Sequence, residues 1–169
     1  MPEPPLHALV EIPKGSRNKY EFDPVSGRIA LDRTLWTSVV YPTDYGFLVD
    51  TLGRDGDPVD ALILVAAPTF PGCLVPVKPI GVFEMRDEAG EDDKVLCVPM
   101  GDPTWGRLDD IEDIRDSLLD EIAHFFDVYK DLEHGADTVV GGWFGRKVAD
   151  QVIADGREAH LAAKAAARG

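Results

Sequence analysis

The 169 residues carry 31 Asp and Glu against 17 Lys and Arg, a formal net charge of −14, and that sign excludes nucleic-acid phosphate as a partner. At 44% hydrophobic content a chain this long can bury about two-thirds of the surface its unfolded form exposes, enough for one core and one domain over residues 1–169. Cys73 and Cys97 stand isolated, Met1-Pro2-Glu3-Pro4-Pro5 lacks the basic and apolar stretches of a signal peptide, and no apolar run approaches the ~20 residues of a membrane span, so the expectation is a soluble cytoplasmic protein that uses no membrane.

Short strands dominate from Leu6 to about Trp143, roughly residues 6–143. Leu6, Ala8, Val10 and Ile12 alternate with His7, Leu9 and Glu11, a period-2 pattern that turns Glu11 away from a face carrying Val10 and Ile12. Lys19 and Glu21 share one face in the same way. Further strands are expected at Arg28 to Leu31, Tyr45 to Val49, Val59 to Val65, Leu74 to Glu84, Lys94 to Val98 and Thr138 to Trp143. Strands so short and so closely spaced suggest a barrel. Leu118, Leu119, Ile122, Phe125, Phe126 and Tyr129 recur at three- and four-residue steps and predict an amphipathic helix over about 116–130, capped by Asp116 or Ser117. Lys147 to Ala167 reads as a C-terminal helix whose one weak point is Gly156.

The densest chemistry lies in Asp55-Gly56-Asp57-Pro58-Val59-Asp60. Three carboxylates in six residues repel one another unless a cation neutralises them, and Gly56 with Pro58 makes a stiff turn able to aim their oxygens at one point. Asp87-Glu88-Ala89-Gly90-Glu91-Asp92-Asp93-Lys94 forms a second acidic segment, hairpin-like, in which Asp92 and Lys94 share a face. Beside Asp55 and Asp60, Asp87 and Asp92 would complete a nest of oxygen ligands for more than one Mg²⁺. An EF-hand fails on spacing, because its sixth and twelfth positions fall on Asp60 and Ala66 instead of Gly and Glu. Lys19, Arg33, Tyr41, Lys94, Tyr129 and Lys130 supply the positive charge and hydrogen-bond donors that phosphate oxygens need. His124, beside Phe125, reads as a packing or interface residue without a catalytic role.

These segments, together with Glu11-Ile12-Pro13, Asn18 to Asp23, Leu31-Asp32-Arg33, Tyr41-Pro42-Thr43-Asp44-Tyr45-Gly46-Phe47 and His124 to Glu133, resemble the soluble family I inorganic pyrophosphatases of the bacterial type across roughly Val10 to Glu133. The resemblance implies an α+β, mainly β fold, an OB-like five-stranded barrel with flanking helices. It also implies several Mg²⁺ ions per active site, hydrolysis of inorganic pyrophosphate to two phosphates without a covalent intermediate, and a homo-oligomer, the hexamer of bacterial members.

Position by position, the resemblance makes Asp55, Asp60 and Asp92 direct metal ligands and has Asp87 complete a further site. Glu11 and Glu21 would hold metal-bound water or an additional ion. Lys19, Arg33, Tyr41, Tyr129 and Lys130 fall on the phosphate oxygens, with Lys94 and Tyr45 nearby. Asp57 would be the general base, with Asp92 the alternative. Val128 departs from the pattern, standing where many bacterial relatives carry a second histidine near the subunit contact. Two rivals stand beside this reading. A phosphatase of the haloacid dehalogenase type would use Asp55 as a covalent phospho-carrier, but that motif should follow a buried strand, and here a turn precedes it. An OB-like binding module would need a basic, aromatic-lined groove, against the charge balance.

Overall fold

The computed structural model describes residues 3–169, so the expectation for Met1 and Pro2 lies outside the described residues. The strands are β1 (His7–Ile12), β2 (Asn18–Asp23), β3 (Arg28–Thr34), β4 (Asp44–Leu48), β5 (Asp60–Ile63), β6 (Leu74–Asp87), β7 (Gly90–Glu91), β8 (Lys94–Pro99) and β9 (Thr138–Gly145); the helices are α1 (Asp116–Val128) and α2 (Arg146–Ala166). β1 pairs with β4, β4 with β5, β5 in parallel with β8, β8 with β6, and β6 with β1, so five strands form a ring of pairings. This agrees with the expected OB-like architecture and flanking helices. β6, 14 residues long, pairs with β9 from Gly81 onward, over Gly81 to Phe83 while still bonded to β8, then runs past the ring to carry β7, and β2 with β3 forms a separate hairpin.

Strands of the ring are apolar on both faces because both faces are covered. Leu62 and Leu96 pack with Phe83 and with Ile122, Phe125 and Phe126 of α1, whereas their neighbours Ala61, Ile63, Val95 and Cys97 pack with Ala149 and Ile153 of α2. That explains why Ala61 to Val65 reads as an unbroken apolar run and not as an alternation.

Two local expectations are corrected. Val10 and Ile12 do not share a face: the β1–β4 register shifts between them, so Val10 joins the cluster on α2 and Ile12 the cluster on α1, with Glu11 at the irregularity. The N-cap of α1 is Arg115 and makes no side-chain cap, while Asp116 lies inside the first turn, where its charge complements the helix dipole. α2 runs unbroken through Gly156, the position expected to weaken it, and buries that residue.

Gly46 decides whether the ring can close. A Cβ there would lie 1.9 Å from the carbonyl oxygen of Leu9 on the neighbouring strand, and backbone cannot yield as a side chain can. Gly46→Ala is therefore expected to lower the unfolding free energy by about 4 kcal/mol or more, measured by urea unfolding followed by circular dichroism.

Candidate active site

Strand register brings the first part of the site together. Asp60 opens β5 and Lys94 opens β8, and the two residues are direct partners in the parallel pairing. Tyr45 comes from β4 on the other side of β5. The ammonium of Lys94 donates to the Tyr45 hydroxyl at 2.9 Å, to Asp60 Oδ2 at 2.9 Å and to Asp92 Oδ2 at 3.0 Å, and the Tyr45 hydroxyl donates to Asp60 Oδ2 at 2.8 Å. Lys94 is 1% exposed, and its charge also lies 5.3 Å from the Phe126 ring of α1.

Burial acts on each member of this cluster differently. It disfavours the charged form of Lys94, but Asp60 and Asp92 outweigh it and hold the ammonium above its ordinary range. On Asp92 burial raises the carboxyl to about 6, with Asp60 adding to the rise and Lys94 opposing it. Lys94 shifts upward because two carboxylates face it, and Asp92 shifts upward because burial and Asp60 together outweigh the pull of Lys94. Glu11 is raised to about 7, first by burial and then by Asp60, although its Oε1 accepts from the Phe22 amide at 2.8 Å. That bond ties the β2–β3 hairpin to β1.

The acidic loop is built by its own backbone. Asp55 Oδ1 accepts from the Asp57 amide at 3.0 Å, the Gly53 amide donates to the Asp57 carbonyl at 2.6 Å, and Gly56 takes a φ of 91°, the region glycine enters without strain. Asp55, Asp60 and Asp92 line one cavity of about 280 Å³, closed on its far side by Val152, Gly156 and Ala159 of α2. Asp57 is exposed at the loop tip and is not among the residues lining that cavity.

A second cavity, about 340 Å³, gathers Lys19, Glu21, Arg33 and Lys130. Arg33 forms a bidentate pair with Glu133 at 2.7 and 2.9 Å and reaches Asp32 at 2.6 Å. Lys19 pairs with Glu21 and with Asp32, and Lys130 lies 3.4 Å from Glu88 and 3.9 Å from Asp87. Asp87 thus stands with the cations instead of joining Asp55, Asp60 and Asp92. Tyr41, Phe125 and Tyr129 pack as an aromatic floor, with Tyr41 4.6 Å and Tyr129 5.2 Å from the Phe125 ring. Burial raises the Tyr129 hydroxyl, against the pull of Lys94 and Lys130, so this residue adjoins both groups of charges. Burial likewise keeps the Tyr41 and Tyr45 phenols protonated, as donors require. His124 is exposed, away from these clusters.

Asp32, Glu88 and Glu133 lie within the segments that carry the resemblance but receive no role from sequence; Asp32 is marked by its position beside Arg33, whereas the pairing of Glu133 with Arg33, 100 residues away, is visible only in the fold.

A five-strand ring with outer helices, one carboxylate-lined cavity and another of lysines and arginine define an OB-like protein with two oppositely charged clefts. Residues 8–160 match the inorganic pyrophosphatase family, to which the chain belongs. It is 57% identical to an inorganic pyrophosphatase of Streptomyces coelicolor, covering 85% of this chain and 88% of that one, and 49% identical to one of Methanosarcina acetivorans, covering 90% of each. Among solved structures, the inorganic pyrophosphatase of Thermus thermophilus superposes with a TM-score of 0.91 at 41% identity, covering 95% of this chain and 94% of that one. The Helicobacter pylori inorganic pyrophosphatase gives 0.89 at 40% identity over 92% of each.

Lys94→Met leaves two facing carboxylates without their cation, so a loss of about 3–5 kcal/mol in unfolding free energy is expected from urea titration. Glu11 gives a pH prediction. Its folded value near 7 exceeds the ordinary 4.5, so the stability it contributes is fully present below pH 4.5 and is lost as pH rises through 7. In chelator, the melting temperature of Glu11→Gln should accordingly fall less between pH 5 and pH 7.5 than that of the unsubstituted protein.

Proposed function

We propose that the chain, acting as one domain over residues 1–169, is an Mg²⁺-dependent inorganic pyrophosphatase that splits pyrophosphate into two phosphates by direct attack of water. What carries the reading is the set of carboxylates held around Lys94, together with a cavity that gathers Lys19, Arg33 and Lys130, in a chain that belongs to this family. The Glu11 carboxylate feels the charges of Asp60, Lys19 and Glu21, so it responds to members of both groups. The rival with Asp55 as phospho-carrier lacks the preceding strand, because residues 51–59 are turn and loop and β5 starts at Asp60.

The donor set fits a hard cation. Among the described residues no three His, Cys, Asp or Glu side chains form a ready-made cage, but Mg²⁺ keeps several waters and needs only one or two carboxylates at a time. Asp92 and Glu11 are held above their ordinary carboxylate range, by burial first and Asp60 second, and a bound cation would relieve the repulsion. Asp55, Asp60 and Asp92 would hold it directly, with Asp87, Glu11 and Glu21 serving further ions or their waters. When bound, Mg²⁺ supplies the positive charge that offsets pyrophosphate's own and acidifies the attacking water.

The chain's residues do the rest. Lys94 fixes Asp60 and Asp92 relative to each other, and Tyr45 fixes Lys94. Arg33 has five N–H donors, of which its contacts to Glu133 and Asp32 use three; two remain for phosphate oxygens. Lys19, Tyr41, Tyr129 and Lys130 supply the other donors, strongest where they meet charge developing on the leaving phosphate. Asp57 takes the proton of the attacking water on its carboxylate, with Asp92 as the alternative base. As the P–O bridge breaks, its electron pair leaves with the second phosphate. The assembly is a homo-oligomer, a hexamer, and the compartment is the cytoplasm. Among the described residues no helix is long and apolar enough to cross a membrane.

The test is phosphate release from pyrophosphate with and without Mg²⁺, with ATP as competitor. Metal-dependent release selective for pyrophosphate is the expected result, and none would overturn the assignment. Asp57→Asn should lose about 10²-fold or more in kcat with Mg²⁺ binding nearly unchanged; if Asp92→Asn alone shows that pattern, the base is Asp92.

A further inference from the structure

α2 keeps a glycine in its interior, where alanine would be more stable by about 0.8–1.0 kcal/mol. Its backbone there is helical, so conformational freedom does not explain it. Proximity does. A Cβ on Gly156 would lie 3.0 Å from Val59 Cγ2, 3.3 Å from Thr51 Cβ and 3.5 Å from the Leu52 carbonyl oxygen, and the Gly156 carbonyl accepts from the Leu52 amide at 2.9 Å.

Those three neighbours form the neck of the acidic loop. Thr51 Oγ1 donates to the Leu48 carbonyl at 2.7 Å and accepts from the Val59 amide at 3.1 Å, while the Leu48 amide donates to the Val59 carbonyl at 2.8 Å. Asp60 follows Val59 directly. Asp60 and Asp92 are already tied to each other through Lys94, whereas Asp55 sits on the loop that the neck supports. The position of Asp55 relative to Asp60 and Asp92 therefore depends on how closely α2 approaches the neck.

We propose that Gly156 is a positioning residue: by letting α2 seat against Thr51, Leu52 and Val59, it keeps Asp55 in the cavity beside Asp60 and Asp92, where the three bind the cation. The inference rests on these three carboxylates being the metal ligands proposed above. A methyl at 156 would crowd Val59 Cγ2 and Thr51 Cβ, so either they or α2 must give way by a few tenths of an ångström, and the neck that carries Asp55 shifts with them.

The test is calorimetric titration of the substrate-free protein with Mg²⁺, beside the Mg²⁺ concentration giving half-maximal phosphate release. Gly156→Ala should weaken both by about 10-fold, the effect typical of lost support behind a metal ligand. Ala154→Gly, on the exposed side of the same helix, lowers helix stability without touching the neck and should leave both unchanged. Val59→Ala removes the crowded methyl, so Val59→Ala/Gly156→Ala should bind Mg²⁺ more tightly than Gly156→Ala alone; this pair also serves if the single variant folds poorly. Native Mg²⁺ affinity in Gly156→Ala, an equal loss in Ala154→Gly, or no recovery in the double variant would each overturn the inference. An unsubstituted protein that takes up no Mg²⁺ would overturn the proposed function and this inference together.

Discussion

A single buried ammonium, that of Lys94, holds the centre of this protein. Removing a charge from water is expensive, and an isolated lysine in such a position would lose its proton. Lys94 keeps it because Asp60, Asp92 and the Tyr45 hydroxyl surround it at 2.9 to 3.0 Å. The dependence runs both ways, since the two carboxylates share this one ammonium. Three strands and one loop are thereby tied at one point in the ring. A pair like this contributes less to net stability than its short distances suggest, because desolvation offsets much of the attraction. Its larger consequence is geometric, for it fixes where two acidic groups stand.

Around that point the molecule separates charge. One cavity is bounded by carboxylates and the other by lysines and an arginine, and each cation in the second is already held by acids: Arg33 by Glu133 and Asp32, Lys19 by Glu21 and Asp32, Lys130 by Glu88. These acids keep long, flexible cations in place ahead of any ligand, which reduces the ordering entropy that binding would otherwise consume. A protein of net charge −14 can in this way present ordered cationic donors in one cavity while the other stays acidic.

The sheet and the helices were largely legible because their signals are local. Residues Leu118 to Tyr129 repeat at helical spacing, and α1 forms there. Ala61 to Val65 and Val95 to Val98 are apolar throughout, and both are buried on two faces. Where local reading failed, a distant contact had intervened. The irregularity at Glu11 depends on how β1 pairs with β4, and it sends Val10 and Ile12 to different cores. Gly156, a weak helix former by propensity, is the residue that lets α2 reach the loop neck.

By itself the sequence determined the kinds of chemistry available: a clustered set of carboxylates, a scattered set of cationic and phenolic donors, and ordered segments resembling one family of phosphoanhydride hydrolases. Residue type and near-neighbour spacing suffice for that. Only the tertiary structure decided how those residues divide. It put Asp60, Asp92 and Tyr45 on one ammonium, sent Asp87 to the side of Lys130, joined Arg33 to Glu133 across 100 residues, and left Asp57 exposed at a loop tip. The reason is that partners in a folded chain are chosen by strand register and helix seating, which arise from the packing of the whole core and leave no trace in any short stretch of residues.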